Sequence, residues 1–266
     1  MIIEKKPGVP RFECCEYCGK RKEYVILIPI INESNRIHKE LLRASKHRVS
    51  EQADIVICDG GSTDGSTDEK ILRSLCVNTL LIKKDSGKQG AQLRIGFWWA
   101  LERGYKGIIT VDGNNKDSIE DVPRFIEKLE QGYDYVQGSR FIKGGLAINT
   151  PLSRLIAIRM IHAPLISLTA HQHFTDTTNA YRGYSANYLT DERVKPLRDI
   201  FMGYELLAYL SVRATQIDMK ACEIPVTRAY PKKGKPPTKI SLFRGNIKLL
   251  RILYDTAHGK YNPYTS

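Results

Sequence analysis

From position 24 the chain alternates short apolar runs with longer stretches whose apolar residues recur at helical spacing. The run YVILIPI, Tyr24–Ile30, is rich in β-branched residues and is closed by Pro29 and Asn32, which predicts a buried strand. An amphipathic pattern over 33–48 predicts a helix. DIVICD at 54–59 is a second strand, and GGSTDGSTDE is a turn in which Thr67 precedes Glu69 and Lys70 as a helix start. TLLIKK at 79–84 is a third strand. The stretch 87–104 has the pattern of a buried helix that Gly104 stops. GIITVD at 107–112 is a fourth strand, a helix follows over 118–131, and YDYVQGSRF at 133–141 returns to strand. This order implies an α/β fold: a mostly parallel central sheet with helices on both faces.

After Phe141 the pattern changes. TPLSRLIAIRMIHAPLISLTAH is apolar and basic, has no acid, and reads as interrupted at Pro164. No uninterrupted apolar run approaches the roughly 20 residues of a spanning helix. A helix is predicted over 202–214, a strand over 216–226, a Pro- and Lys-rich loop over 228–241 and a basic amphipathic helix over 244–260. No internal repeat or linker breaks this pattern. The chain divides into an extension at 1–23, one continuous domain at 24–240, and a C-terminal basic helix and tail at 241–266.

Charge adds a constraint. The 266 residues carry a formal net charge of +12, which points to a polyanionic partner: phosphate-bearing substrates, an anionic membrane surface or nucleic acid. Nucleic acid is disfavoured, because the basic residues are not interleaved with aromatics in a recognisable module. The charged opening MIIEKKPGVPRFE lacks the apolar core of a secretory signal, so the expected location is cytoplasmic, with peripheral attachment to the cytosolic membrane face as an extension. Cys15 and Cys18 have half of a zinc-knuckle spacing and no second pair downstream, which favours a hairpin or flexible extension over a metal site.

Polar residues cluster where the predicted strands end. Asn32, Asp59 and Asp112 each fall at or just after a carboxyl end, the edge at which such sheets bind ligands. In CDGGSTDGS, Asp59 can accept hydrogen bonds from a nucleoside, and Ser62 and Asp64 share its turn; a capped αβ turn has the same composition. In DSGKQGAQLRIG, Gly87 and Gly90 open a helix whose N-terminal amides suit a phosphate, and Lys88 adds charge. Close helix packing also favours those glycines. In VDGNNKD, Asp112 is a carboxylate ligand for Mg²⁺ or Mn²⁺, Asn114 offers a neutral oxygen, and Lys116 can meet a diphosphate directly. A solvated turn is the alternative.

Together PIINE, CDGGSTDGS, GKQGAQLRIG, VDGNNKD and QGSRF resemble the successive motifs of family 2 inverting glycosyltransferases, in particular the polyprenyl- (dolichyl-) phosphate mannosyl- and glucosyltransferases. The resemblance implies a GT-A fold, with a Rossmann-like domain for a nucleotide diphosphate sugar. It implies that Pro29, Asn32, Glu33 and Asp59 hold the nucleoside, with Ser62 and Asp64 in the same turn; Lys88, Gly113 and Lys116, read from the residues themselves, complete the candidate nucleotide-sugar site. Asp112 and Asn114 occupy the first and last positions of the family's Asp-x-Asp metal motif, which implies Mg²⁺ or Mn²⁺. Arg140 and Arg154 match basic residues that meet an acceptor phosphate, with Arg228 and Lys239 as further candidates. Three features depart from the pattern: Asn114, the Asn179-Ala180-Tyr181 segment in place of Ser-Gly-Phe, and a lengthened basic loop. They keep open a soluble hydroxyl acceptor, or a binder without activity. A phosphate acceptor attacks without a strong base, whereas an alcohol needs one, for which Asp176 and Glu205 are the candidates.

Overall fold

The computed structural model describes residues 1–232 and 244–263. Strands β1 (Ile2–Ile3), β2 (Phe12–Glu16), β3 (Tyr24–Ile30), β4 (Ala53–Asp59), β5 (Val77–Lys83), β6 (Gly107–Thr110), β7 (Tyr135–Ser139), β9 (Arg182–Ser185) and β10 (Ala221–Pro225) form one sheet. Its order is β1-β2-β5-β4-β3-β6-β9-β7-β10. A separate parallel pair joins β8 (Leu146–Ile148) to β11 (Thr227–Ala229). The helices are α1 (Asn35–Lys46), α2 (Glu69–Ser74), α3 (Gln89–Glu102), α4 (Val122–Glu130), α5 (Leu152–Ala157), α6 (Ala163–Ala170), α7 (Ala186–Thr190), α8 (Glu205–Gln216) and α9 (Arg244–Ala257).

Alternation along the central strands builds two cores. Val25 and Leu27 of β3, with Val56 and Cys58 of β4, pack under α3 and α8. Ile26, Ile28 and Ile30, with Ile55 and Ile57, face α1 and α4 on the other side. A strand buried on both faces reads as the continuous apolar run seen in the sequence. β5, β4, β3 and β6 are mutually parallel. The chain winds from β3 outward through β4 to β5, then crosses back to place β6 on the other side of β3. That reversal opens a crevice at the carboxyl ends of β3 and β6.

Three features differ from the sequence reading. The N-terminal segment is not a separate extension: β2 pairs antiparallel with β5, and Phe12 is fully buried. Cys14 and Cys15 point to opposite faces of β2, as successive strand residues must. Among the described residues no group of three or more His, Cys, Asp or Glu side chains gathers as a metal ligand set. The short strand β9, which contains the buried Arg182, enters antiparallel between β6 and β7. Finally, Pro164 does not interrupt its segment. A π-helical turn at Ile158–His162 links α5 to α6, and Pro164 lies in the first turn of α6. The result is one continuous helix, Leu152–Ala170, long and apolar enough to cross a membrane by length and composition, with 17% of it buried in the protein.

Candidate active site

Two loops interlock at the ends of β3 and β4. Asp59 accepts from the Gly61 amide at 2.8 Å, the Ser62 amide at 2.9 Å and the Ser62 hydroxyl at 2.5 Å. Ser62 Oγ in turn accepts from the Asn32 amide at 2.9 Å, and Asn32 Oδ1 accepts from the Thr63 amide at 2.9 Å. Asp64 takes the Ser34 hydroxyl at 2.6 Å and the Ser66 hydroxyl at 2.5 Å. These hydroxyl and amide donors hold its carboxyl far below the usual range, outweighing desolvation. Glu33 takes Arg36 Nε at 2.8 Å, and Pro29 sits within β3 opposite Cys58. Sequence reasoning missed Gln92, whose buried amide nitrogen donates to the Ile30 carbonyl at 2.6 Å and the Cys58 carbonyl at 2.8 Å. It ties the carboxyl ends of both strands to α3. Lys88 precedes α3, and its amide donates to the Met202 carbonyl at 2.7 Å.

β6 ends at Thr110, so Asp112 and its loop stand over the crevice. Gly113 sets the depth of that loop. A Cβ there would lie 2.4 Å from Ile30 Cγ2 and 3.0 Å from Ile28 Cγ2, both in the packed core. Gly113→Ala is therefore expected to cost about 1–3 kcal/mol and to lift Asp112 from its place. Urea unfolding checks the first effect and nucleotide titration the second. A variant as stable as the parent would mean that the loop yields freely.

Around Asp112 the structure gathers residues far apart in sequence. Asp112 Oδ1 accepts from Gln89 Nε2 at 3.0 Å; Oδ2 accepts from Arg228 Nη2 at 3.0 Å and Asn114 Nδ2 at 3.4 Å. The other arm of Arg228 donates to Asp117, and to Asn179 Oδ1 at 3.2 Å. Lys116, buried, lies with its ammonium 5.2 Å from the Tyr230 ring centre, and Arg154 Nη1 donates to the Tyr230 hydroxyl at 2.8 Å. Burial would raise the Asp112 carboxyl, but the charges of Arg228 and Lys116 prevail and hold it below the ordinary value. Burial and the neighbouring Asp112 push Asp117 up, against the pull of Arg228. Burial also opposes ionisation of Tyr230, yet Arg228 and Arg154 bring its phenol down to about 8.

Just past the end of β7, Arg140 and Asp176 form a buried fork. Nε donates to Oδ2 at 2.6 Å and Nη2 to Oδ1 at 2.8 Å, and the Arg140 amide adds a bond at 3.1 Å. Arg140 Nη1 is buried and finds no acceptor among the described residues. Glu205 begins α8 and accepts from the Gly203 amide at 2.6 Å, with Lys248 at 3.3 Å. Lys239 lies outside the described residues.

The donor set fits a divalent ion poorly. Both Asp112 oxygens already accept N–H donors, one of them from a guanidinium. Asn114 Oδ1 is the one side-chain oxygen of the pair left without a partner among the described residues. Asn115 Oδ1 and Asp117 Oδ1 on the same loop are also unpartnered among the described residues, but the other Asp117 oxygen is held by the same Arg228. Hard cations need several oxygen ligands, and the one free amide oxygen of the Asp112–Asn114 pair, beside an arginine, does not supply them.

Comparison with known proteins bears on the family and the fold. The family described as glycosyl transferase family 2 matches residues 25–191. The chain is 27% identical over 209 residues to polyprenol monophosphomannose synthase of Mycolicibacterium smegmatis, covering 76% of each. It is 30% identical over 213 residues to undecaprenyl-phosphate mannosyltransferase of Micrococcus luteus, covering 79% of this chain and 84% of that one. Its fold is similar to glucosyl-3-phosphoglycerate synthase of Mycobacterium tuberculosis bound to UDP, with a TM-score of 0.62 at 13% identity over 88% of this chain and 80% of that one. The same synthase has been crystallised with Mn²⁺, UDP-glucose and phosphoglyceric acid, with a TM-score of 0.61 at 15% identity over 88% and 79%. The GT-A architecture is thus the one observed, and the matched span carries Asn32, Asp59 and Asp112. This chain belongs to glycosyl transferase family 2 and is a glycosyltransferase.

Proposed function

We propose that the enzyme transfers a hexose from a nucleoside diphosphate sugar to a polyprenyl phosphate at the cytosolic face of a membrane, with inversion at the anomeric carbon. The observation that carries this reading is Arg140 Nη1, a buried guanidinium donor without an acceptor among the described residues; Arg154, which donates to the Tyr230 hydroxyl, is the second basic candidate. A buried charged donor calls for an anionic oxygen, and an acceptor phosphate supplies one. The polyprenyl-phosphate relatives support the same acceptor.

In this reading the Asn32–Ser62–Asp59 lattice receives the nucleoside, and the diphosphate lies between Asp112 and the amino end of α3. An acceptor phosphate oxygen attacks the anomeric carbon. The bond from that carbon to the diphosphate oxygen breaks, and the nucleoside diphosphate leaves with the electron pair. The nucleophile is already an anion, so no base is required. Asp176, with both oxygens committed to Arg140, acts as its positioning partner rather than as a base. Glu205, held by Gly203 and Lys248, keeps the start of α8 in place. A Mg²⁺ or Mn²⁺ ion expected at Asp112 and Asn114 would have to displace Arg228 or Gln89. We therefore assign no step to it.

The helix Leu152–Ala170 supports membrane attachment, since Leu152, Ile156, Met160 and Leu168 stand exposed along it. Incubation with labelled uridine, guanosine, cytidine and thymidine diphosphate sugars and a polyprenyl phosphate tests the reaction. Label is expected in the lipid phase with one donor class. Label that reaches only a soluble hydroxyl acceptor would overturn the phosphate-acceptor reading.

A further inference from the structure

The guanidinium of Arg228 stands where the Asp-x-Asp resemblance calls for a metal ion. It is buried, and one nitrogen lies 3.0 Å from Asp112 while the other bonds to Asp117 and Asn179. The backbone on both sides of it is pinned to the Asp112 loop. Ser118 donates to the Thr227 carbonyl at 3.0 Å, Ala229 donates to the Lys116 carbonyl at 2.8 Å, and the Thr227 amide donates to Ser118 Oγ at 2.9 Å. Arg228 therefore belongs to the donor loop as a short extra strand beside it, and withdrawing it would break several bonds at once. The same bonds bring the buried Lys116 beside it, over Tyr230. Two cations thus line the loop, and the unpartnered neutral oxygens on it among the described residues are the amide oxygens of Asn114 and Asn115.

We propose that Arg228 is the resident cation of the donor site: it holds Asp112 in place of a divalent ion and, with Lys116, offsets the charge of the nucleoside diphosphate. This rests on the donor reading above. As the anomeric carbon–oxygen bond breaks, the electron pair collects on the departing diphosphate. Fixed guanidinium and ammonium groups stabilise that charge without reorganising. A planar guanidinium can bridge the Asp112 carboxylate and a phosphate oxygen through separate N–H groups. Arg228 is thereby assigned to the donor, and Arg140 and Arg154 are left to the acceptor.

The test is calorimetric titration of UDP, GDP, CDP and dTDP into the protein, with EDTA and with Mn²⁺, together with the electron paramagnetic resonance of added Mn²⁺. The wild type is expected to bind one nucleotide with affinities within about threefold in the two conditions and to leave Mn²⁺ free. Arg228→Met is expected to weaken binding in EDTA by about 10- to 100-fold, and to gain a bound Mn²⁺ signal as Asp112 is uncovered. Arg228→Lys should keep most of the binding in EDTA. Wild-type binding that needs Mn²⁺, with Mn²⁺ immobilised on the protein, overturns the resident cation but leaves the donor reading intact. This measurement needs no variant, so an unstable Arg228→Met does not spoil it. Failure of every nucleotide in both conditions overturns the donor reading and this inference together.

Discussion

Asp176→Ala is expected to lower the folding free energy by about 3–5 kcal/mol, the usual cost of stranding one member of a buried ion pair. Both side chains are almost wholly excluded from solvent, 1% exposed for Arg140 and 0% for Asp176. The carboxylate receives three bonds from that one arginine. Removing it leaves a guanidinium with Thr178 at 3.3 Å and the Phe141 ring at 5.1 Å among the described residues. The double change Arg140→Met with Asp176→Leu should cost less than the single one, because no charge stays buried. Urea unfolding of the three proteins measures the difference. A loss below about 1 kcal/mol for Asp176→Ala would assign the pair the weight of a solvated surface bridge. Asp176→Asn separates positioning from base catalysis. Positioning predicts a raised KM for the lipid phosphate and a pH–rate profile of unchanged shape, while a lost base removes the limb that reports it.

The polar cluster at the strand ends was readable because it is built from local signals. Asn32, Asp59 and Asp112 follow apolar strands in a regular βα order, and each is within three residues of its strand's last residue. Gln92 was not readable: it lies inside an apolar helix pattern, and only the close approach of α3 to β3 and β4 reveals its use. The contact of Arg228 with Asp117 spans 111 positions and depends on a strand of three residues, too short for any periodicity to show. For the same reason the sequence offered Asp112 and Asn114 to a metal. It could not show that a guanidinium from the other end of the domain covers one of them. Arg140 and Asp176 were both named, but as an anion binder and a base. Their pairing, on which the proposed positioning role of Asp176 rests, is a fact of tertiary packing. Pro164 reads as a break because proline lacks the N–H of a helical bond. Here the π-helical turn precedes it, and a proline in the first turn after such a bulge forfeits little.

Replacing Leu152, Ile156, Met160 and Leu168 together by serine or glutamine is expected to weaken binding to phosphatidylcholine–phosphatidylglycerol vesicles by about a thousandfold or more. These four residues are 70%, 52%, 72% and 73% exposed, and they recur at helical intervals so that they form one stripe. Each regains about 1–2 kcal/mol if the bilayer interface takes it out of water. The opposite side of the helix, at Ile158, Ala163, Ile166 and Ala170, is packed into the protein. A helix anchored in that way lies along an interface rather than across it. Arg159 stands exposed beside the stripe with its guanidinium 4.8 Å from the Phe141 ring, and Lys143 is exposed nearby in sequence. Added salt should therefore remove part of the binding, about 1 kcal/mol for each basic residue at an anionic surface, while the apolar part persists. The polar variant should melt close to the parent, since the substituted side chains are solvent-facing. Transfer to a short, water-soluble polyprenyl phosphate should also survive in it. Vesicle flotation reads the first effect and the soluble assay the second. Co-flotation of the four-residue variant at the wild-type level would remove this helix from the membrane. A wild-type dimer that the same changes split, with no flotation of either protein, would assign the stripe to a second copy of the chain.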